Sequence, residues 1–169
     1  TYNAKYKWAI VNNEYRNDLI CDAVKRYQGK QIIVLIKEIK HGEKLAQQLN
    51  APFIHGSSKD RTAVLEAFKN RYIDILVASS ILKQGIDIPE AEVLVLAHGG
   101  SSQIELIQKI GRVRRPAPNK NKGIVIDFFD YCPTDSNDLF KQQAYKRYTI
   151  YQQKKFDVHQ FSLDMPAIV

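Results

Sequence analysis

Short apolar runs alternate with longer amphipathic stretches along this chain. The runs QIIVLI (Gln31 to Ile36), DILVAS (Asp74 to Ser79) and EVLVLA (Glu92 to Ala97) are continuously aliphatic and rich in β-branched residues. That is the pattern of strands covered on both faces. KWAIVN (Lys7 to Asn12), APFIH (Ala51 to His55) and KGIVIDFFD (Lys122 to Asp130) predict three further strands. Helices are predicted between them. One follows Asn13, with Asn13 as N-cap and Gly29 as stop. Others cover HGEKLAQQL (His41 to Leu49) and SKDRTAVLEAFKN (Ser58 to Asn70), with Ser58 near the cap. SSQIELIQKIGRV opens with Ser102 and Glu105 in capping-box spacing, so a helix is expected to begin there. After a turn around Pro133, the stretch from Asn137 to Phe156 predicts a helix with Leu139, Tyr145, Tyr148 and Tyr151 on one stripe. The residues after it read as irregular.

Strand and helix alternate in units of about 20 to 35 residues, which argues for βαβ crossovers and a mostly parallel sheet. Ligands of such sheets bind at the carboxyl ends of the strands. The loops of interest therefore follow Ile36, His55, Ser79, Ala97 and Asp130. The 169 residues suit one domain, 1–169, with residues 135–169 as a helical tail packed on it. No internal repeat or interdomain linker interrupts the pattern. The chain opens on Thr1 and reads as a processed product or an excised fragment.

Composition narrows the partners. The hydrophobic and charged fractions, 44% and 25%, are ordinary for a globular protein. No apolar run approaches the roughly 20 residues of a membrane span, so no membrane partner is expected. Cys21 and Cys132 lack a CxxC or histidine neighbour and read as reduced thiols of a cytoplasmic protein, with no metal site. A net charge of +7 points to a polyanionic partner.

Several chemistries lack their residues. The sequence has no GxxxxGK[ST] phosphate loop, no GxGxxG after a strand, no GxSxG elbow and no HExxH pairing. The four histidines (His41, His55, His98 and His159) read as structural or surface residues. The carboxylates Asp127 and Asp130 are expected to cap the turn that follows their strand. Two other stretches carry more. In QGIDIPE, Gly85 permits close backbone approach and Asp87 can accept from a hydroxyl, although an ordinary capped turn before Pro89 would look the same. In IQKIGRVRRP, Arg112 and Arg115 lie three apart and face one way on a helix. Their planar forks suit phosphate oxygens. A solvated cationic helix end is the alternative.

Taken together, G-x-D-x-P followed by Q-x-x-G-R-x-x-R resembles motifs V and VI of superfamily 2 helicases. IIVLIKEIKHGEKLAQQL resembles motif IV, and FIHGSSKDRTAVLEAFKN resembles the segment in which a His-Gly strand end precedes an Arg-bearing helix. The resemblance covers roughly Lys30 to Asp130 and is specific in its combination, not in any one piece. It implies a RecA-like three-layer α/β fold, a mostly parallel sheet flanked by helices plus a C-terminal helix. In this family two RecA-like domains sandwich ATP, and this chain resembles the second one.

The resemblance implies roles for named residues. Arg115 is expected as an arginine finger on the γ-phosphate, with Arg112 supporting it or pairing with the first domain. Gln108 is expected near the phosphates, Asp87 at the ribose hydroxyl and Gly85 where backbone approaches the nucleotide. Ser79, Lys37, Gly56 and Lys59 are expected to contact nucleic acid. ATP would come with Mg2+ held mainly by the N-terminal RecA-like domain of the same protein. This half alone is expected to be inactive as an ATPase. Gln108 stands where DEAD-box RNA helicases have His, and GRVRRP is similar to the XPB, UvsW and type III restriction-helicase branch. That favours duplex or branched DNA over RNA, in recombination or repair, in the cytoplasm of a bacterium or phage-infected cell, or in a nucleus. A nucleic-acid-binding module without ATP hydrolysis is the main alternative, and a small-molecule α/β enzyme the lesser one. The tail tyrosines are expected to pack on the domain, with stacking on nucleic acid as the other reading.

Overall fold

The computed structural model describes residues 1–79, 91–100, 123–131 and 137–161. Its core is a five-stranded sheet of order β2-β3-β1-β4-β5. The strands are β1 (Ile32–Leu35), β2 (Phe53–Ile54), β3 (Ile75–Ala78), β4 (Val93–Leu96) and β5 (Ile124–Asp127). Every pairing is parallel, with Ile32 in register with both Ile75 and Val93. These are the predicted runs, trimmed by one to three residues at each end. Lys7 to Asn12 is the exception.

Successive side chains of each strand point to opposite faces, and each face has its own helices. Ile32, Val34, Ile36, Val93 and Val95 pack with Ile20, Cys21 and Val24 of α2 (Glu14–Lys25) and Leu45 of α3 (Ile39–Leu49). Ile33, Leu35, Leu76, Leu94 and Leu96 pack with Phe68 of α4 (Arg61–Lys69) and Ile150 of α5 (Leu139–Gln153). Each fully buried aliphatic side chain contributes about 1.5–3 kcal/mol before entropy is counted. The result is three layers, as expected. Among the described residues, no helix is long and apolar enough to cross a membrane.

The first predicted strand is wrong. Tyr2–Tyr6 form α1, and Lys7–Val11 continue it as one wider π-helical turn. Tyr6, Ile10 and Val11 are buried together with Phe140, while Trp8 is 71% exposed. A four-residue repeat on one side is helical, and so short an apolar run cannot by itself distinguish the two structures. The next helix starts as predicted: Asn13 Oδ1 accepts from the Arg16 N–H at 3.0 Å. Its last regular residue is Lys25, and Gly29 turns the chain with a φ of 87°. Ser58 lies two residues before the N-cap of α4, which is Asp60.

The stripe expected on α5 is also corrected. The structure buries Phe140, Ala144, Arg147 and Ile150, and leaves Leu139 and Tyr145 exposed. A charged residue in the middle of the buried face hid that face from a count of apolar positions. Buried polarity recurs at His41 of α3, whose Nε2 lies 2.9 Å from Asn17 Oδ1, while Nδ1 has no partner among the described residues. Burial, with Arg16 and Lys44 nearby, pushes the His41 pKa down to about 3.

Candidate nucleic-acid and nucleotide interface

A parallel sheet presents all its carboxyl ends on one edge, and the order β2-β3-β1 makes neighbours of residues distant in sequence. Gly56 and Lys59 follow β2, Ser79 follows β3 and Lys37 follows β1. Two strand spacings, about 10 Å, span the three strands.

The turn after β2 closes on itself. The Ser58 N–H donates to the His55 carbonyl at 3.0 Å, and Ser58 Oγ accepts from the His55 N–H at 2.9 Å. Gly56 and Lys59 are left exposed. A Cβ on Gly56 would meet nothing within 4 Å, and its φ is not positive. The fold itself therefore makes no demand for glycine there. Ser79 is buried at 8% exposure, and its N–H donates to the Ile54 carbonyl at 3.0 Å. Lys37 is exposed, with its ammonium 5.3 Å from the Tyr6 ring centre and 6.0 Å from that of Tyr2.

Helices α3 and α4 also begin at this edge. Their N-cap residues, Glu38 and Asp60, form no side-chain cap bond. The first N–H groups and the positive dipole end of each helix thus sit beside Lys37 and Lys59. The carboxylates of Glu38 and Asp60 share the edge with them.

Between β1 and β4 the direction of winding reverses, the place where open parallel sheets commonly take ligands. Here α1 lies over it. The Tyr6 hydroxyl donates to the His98 carbonyl at 2.6 Å, and a Cβ on Gly99 would come within 3.9 Å of the Ile10 side chain. Burial raises the Tyr6 pKa, so the phenol stays a donor.

At β4 and β5 two buried arginines are each paired with a carboxylate. Arg16 of α2 and Arg147 of α5 are each 4% exposed. Arg16 Nε and Nη2 donate to the two carboxylate oxygens of Asp130 at 2.6 and 2.9 Å. Its Nη1 donates to the Ala97 carbonyl at 2.8 Å, and the guanidinium lies 5.3 Å from the Phe128 ring centre. From the other face, Arg147 Nε donates to Asp127 Oδ2 at 2.8 Å. Its Nη1 and Nη2 donate to the Gly100 and Phe128 carbonyls at 2.7 and 2.9 Å. The Tyr151 hydroxyl adds a bond to Asp127 at 2.8 Å. Burial opposes the charge on Arg147, but Asp127 outweighs it and raises the Arg147 pKa. Two guanidinium groups therefore tie the chain after β4 to the chain after β5.

Sequence reasoning did not find these two arginines. It expected Asp127 and Asp130 to cap the next turn, and Asp127 Oδ1 does accept from the Phe128 N–H at 2.8 Å. The remaining carboxylate oxygens serve the buried pairs. No local signal announces a partner 114 residues away. Gly85, Asp87, Gln108, Arg112 and Arg115, the nucleotide-facing set, lie outside the described residues. So does the helix expected from Ser102.

The sequence profile of the helicase conserved C-terminal domain matches residues 15–117, more than half of the chain. The chain belongs to this family. It is a C-terminal domain of the superfamily 2 helicase kind, with Rad25 and XPB proteins among its sequence relatives. It is 32% identical over 138 residues to a protein named putative helicase 22 from a Sulfolobus islandicus filamentous virus, covering 78% of this chain and 24% of that one. It is 35% identical over 125 residues to the putative DNA 3'-5' helicase Rad25 of Halobacterium salinarum, covering 66% and 21%. An ATP-dependent rRNA helicase RRP3 of Candida albicans is 31% identical over 113 residues, covering 63% and 21%. The T4 UvsW structure shares the fold, with a TM-score of 0.71 at 23% identity over 93% of this chain and 36% of that one. The helicase domain thus spans about a quarter or less of the length of these sequence relatives. Both DNA and RNA helicases stand among them.

Proposed function

We propose that this chain, residues 1–169 with the tail from 135 onward, is the second motor domain of an ATP-dependent helicase or translocase that works on DNA. The observation that carries the nucleic-acid part is the edge over β2-β3-β1. It gathers Gly56, Lys59, Ser79 and Lys37 with two helix N-termini that lack side-chain caps. Exposed lysines and helix N-terminal N–H groups are what a phosphate backbone needs. The unforced glycine at position 56 leaves room for that backbone to approach closely. Ser79 contributes from the centre of this track.

In this reading the nucleotide is met by Gly85 and Asp87 at the ribose and by Gln108, Arg112 and Arg115 at the phosphates, with Arg115 as the finger. Phosphoryl transfer gains mainly from positioning and charge stabilisation, and a finger contributes roughly 10³ to 10⁵ in rate. A cation delivered by a second domain makes hydrolysis depend on closure against the first, and that cycle moves the strand. Among the described residues no cluster of three or more His, Cys, Asp or Glu side chains could hold a metal ion. Asp127 and Asp130 are already engaged by arginine. Mg2+ would accompany ATP on the first domain, where it draws charge from the phosphates. The DNA preference draws on the Rad25 relative's name and on Gln108 at the head of its motif.

The test is ATP hydrolysis by the full-length protein with duplex DNA, branched DNA or RNA present, in wild type and Arg115→Ala. The expected result is DNA-stimulated turnover that falls at least a thousandfold in the variant, while DNA binding is kept. Turnover unaffected by Arg115→Ala would remove the finger. Stimulation by RNA alone would reverse the substrate.

A further inference from the structure

Among the described residues, helix α5 has an outer face that the core does not use. Lys141, Gln142, Tyr145, Lys146 and Thr149 are exposed on it. From Leu139 to Phe156 the sequence contains no Asp or Glu. Tyr145 is 53% exposed and meets Phe129, itself 46% exposed, edge to face with ring centres 4.9 Å apart. Tyr131, 63% exposed, stands two residues beyond Phe129. The carboxylates close by, among the described residues, have other work. Asp127 and Asp130 hold Arg147 and Arg16, and Asp138 caps α5 through the Lys141 N–H at 3.1 Å. Ring surface bordered by lysines, with no acidic residue of the helix to offset them, is left uncovered among the described residues.

The tail tyrosines are sorted by this arrangement. Tyr151 is bonded to Asp127 and packs on the core, and Tyr148 is half-buried. Tyr145 is the most open of the three.

We infer that this face is a stacking platform for single-stranded nucleic acid, separate from the edge over β2-β3-β1. Bases stack on Tyr145 and Phe129, and Lys141 and Lys146 meet phosphates. The inference rests on the nucleic-acid reading proposed above. Stacking tolerates any sequence because every base has a π-face, and lysines beside the rings add salt-dependent attraction. A polypeptide partner would leave those lysines without a counter-charge unless it were acidic.

The experiment is a fluorescence-anisotropy titration of the full-length protein with a labelled oligothymidylate over a series of salt concentrations. Tyr145→Ala and Phe129→Ala are each expected to weaken binding about fivefold or more, with Tyr145→Phe close to wild type. Lys141→Gln combined with Lys146→Gln is expected to lower the salt slope by about 1.4, at about 0.7 per single-strand phosphate contact. A denaturation midpoint establishes that each variant folds, and the lysine pair decides the matter if an alanine variant does not. Unchanged affinity in Tyr145→Ala, or an unchanged slope in the lysine pair, overturns the platform while leaving the motor reading standing. Failure of the wild type to bind any oligonucleotide overturns both.

Discussion

The two halves of the sheet's carboxyl edge use the same kinds of residue to opposite ends. Over β4 and β5 two arginines of the described residues are buried, each matched to a carboxylate: Arg16 to Asp130 and Arg147 to Asp127. The helices that supply them, α2 and α5, carry side-chain caps from Asn13 and Asp138. Over β2, β3 and β1 the lysines are exposed and the helices begin without such caps. Those two arginines have their donors satisfied internally. The other half leaves donors facing outward, where an anion can complete them.

That contrast can be broken most forcefully at the closed half. Removing one member of a buried pair leaves the other charged and without its partner, which costs about 3–5 kcal/mol. Asp127→Asn and Arg147→Ala are each expected to lower stability by that order in urea unfolding. The double variant should cost less than the two losses added together, because Asp127 and Arg147 touch.

His41 sharpens the picture from beneath, since it is buried against Asn17 with Arg16 and Lys44 close by. Its folded pKa is about 3 against an ordinary 6.5. Below pH 6.5 the unfolded chain therefore takes up a proton that the folded chain refuses. Its contribution to stability is complete above that pH and is lost as pH falls toward 3, at about 1.4 kcal/mol per unit. His41→Leu is expected to flatten unfolding free energy against pH across this window by one proton's worth. A slope equal to wild type would show that the imidazole is not held neutral.

Smaller effects separate the caps. Asn13→Ala removes the acceptor for the Arg16 N–H and is expected to cost about 1 kcal/mol. Asp60→Ala has no side-chain cap bond to lose and should stay within about 0.5 kcal/mol of wild type. Equal losses would remove the distinction between capped and open helix starts.

The sheet was legible in the sequence because Ile32–Leu35, Ile75–Ala78 and Val93–Leu96 are aliphatic runs covered on both faces. The first helix was not, since Trp8, Ala9, Ile10 and Val11 are consecutive apolar residues in either structure. The buried arginines were illegible for another reason. A cation belongs in a core when a distant carboxylate meets it, and a single sequence does not show which residues meet. Of the candidate site, Lys37, Gly56, Lys59 and Ser79 could be followed into the fold. The topology that makes them neighbours, with β3 inserted between β2 and β1, was not something their spacing could supply.

The most direct measurement compares salt dependence of DNA binding by the full-length protein in wild type and in the combined variant Lys37→Gln, Lys59→Gln. If the open half of the edge meets phosphates, the slope of log affinity against log salt falls by about 1.4 to 1.8, at about 0.7 to 0.9 per lost contact. Stability should change little, because both lysines are exposed. An unchanged slope and affinity in a folded variant would contradict the account, and the open edge would then be surface without a partner.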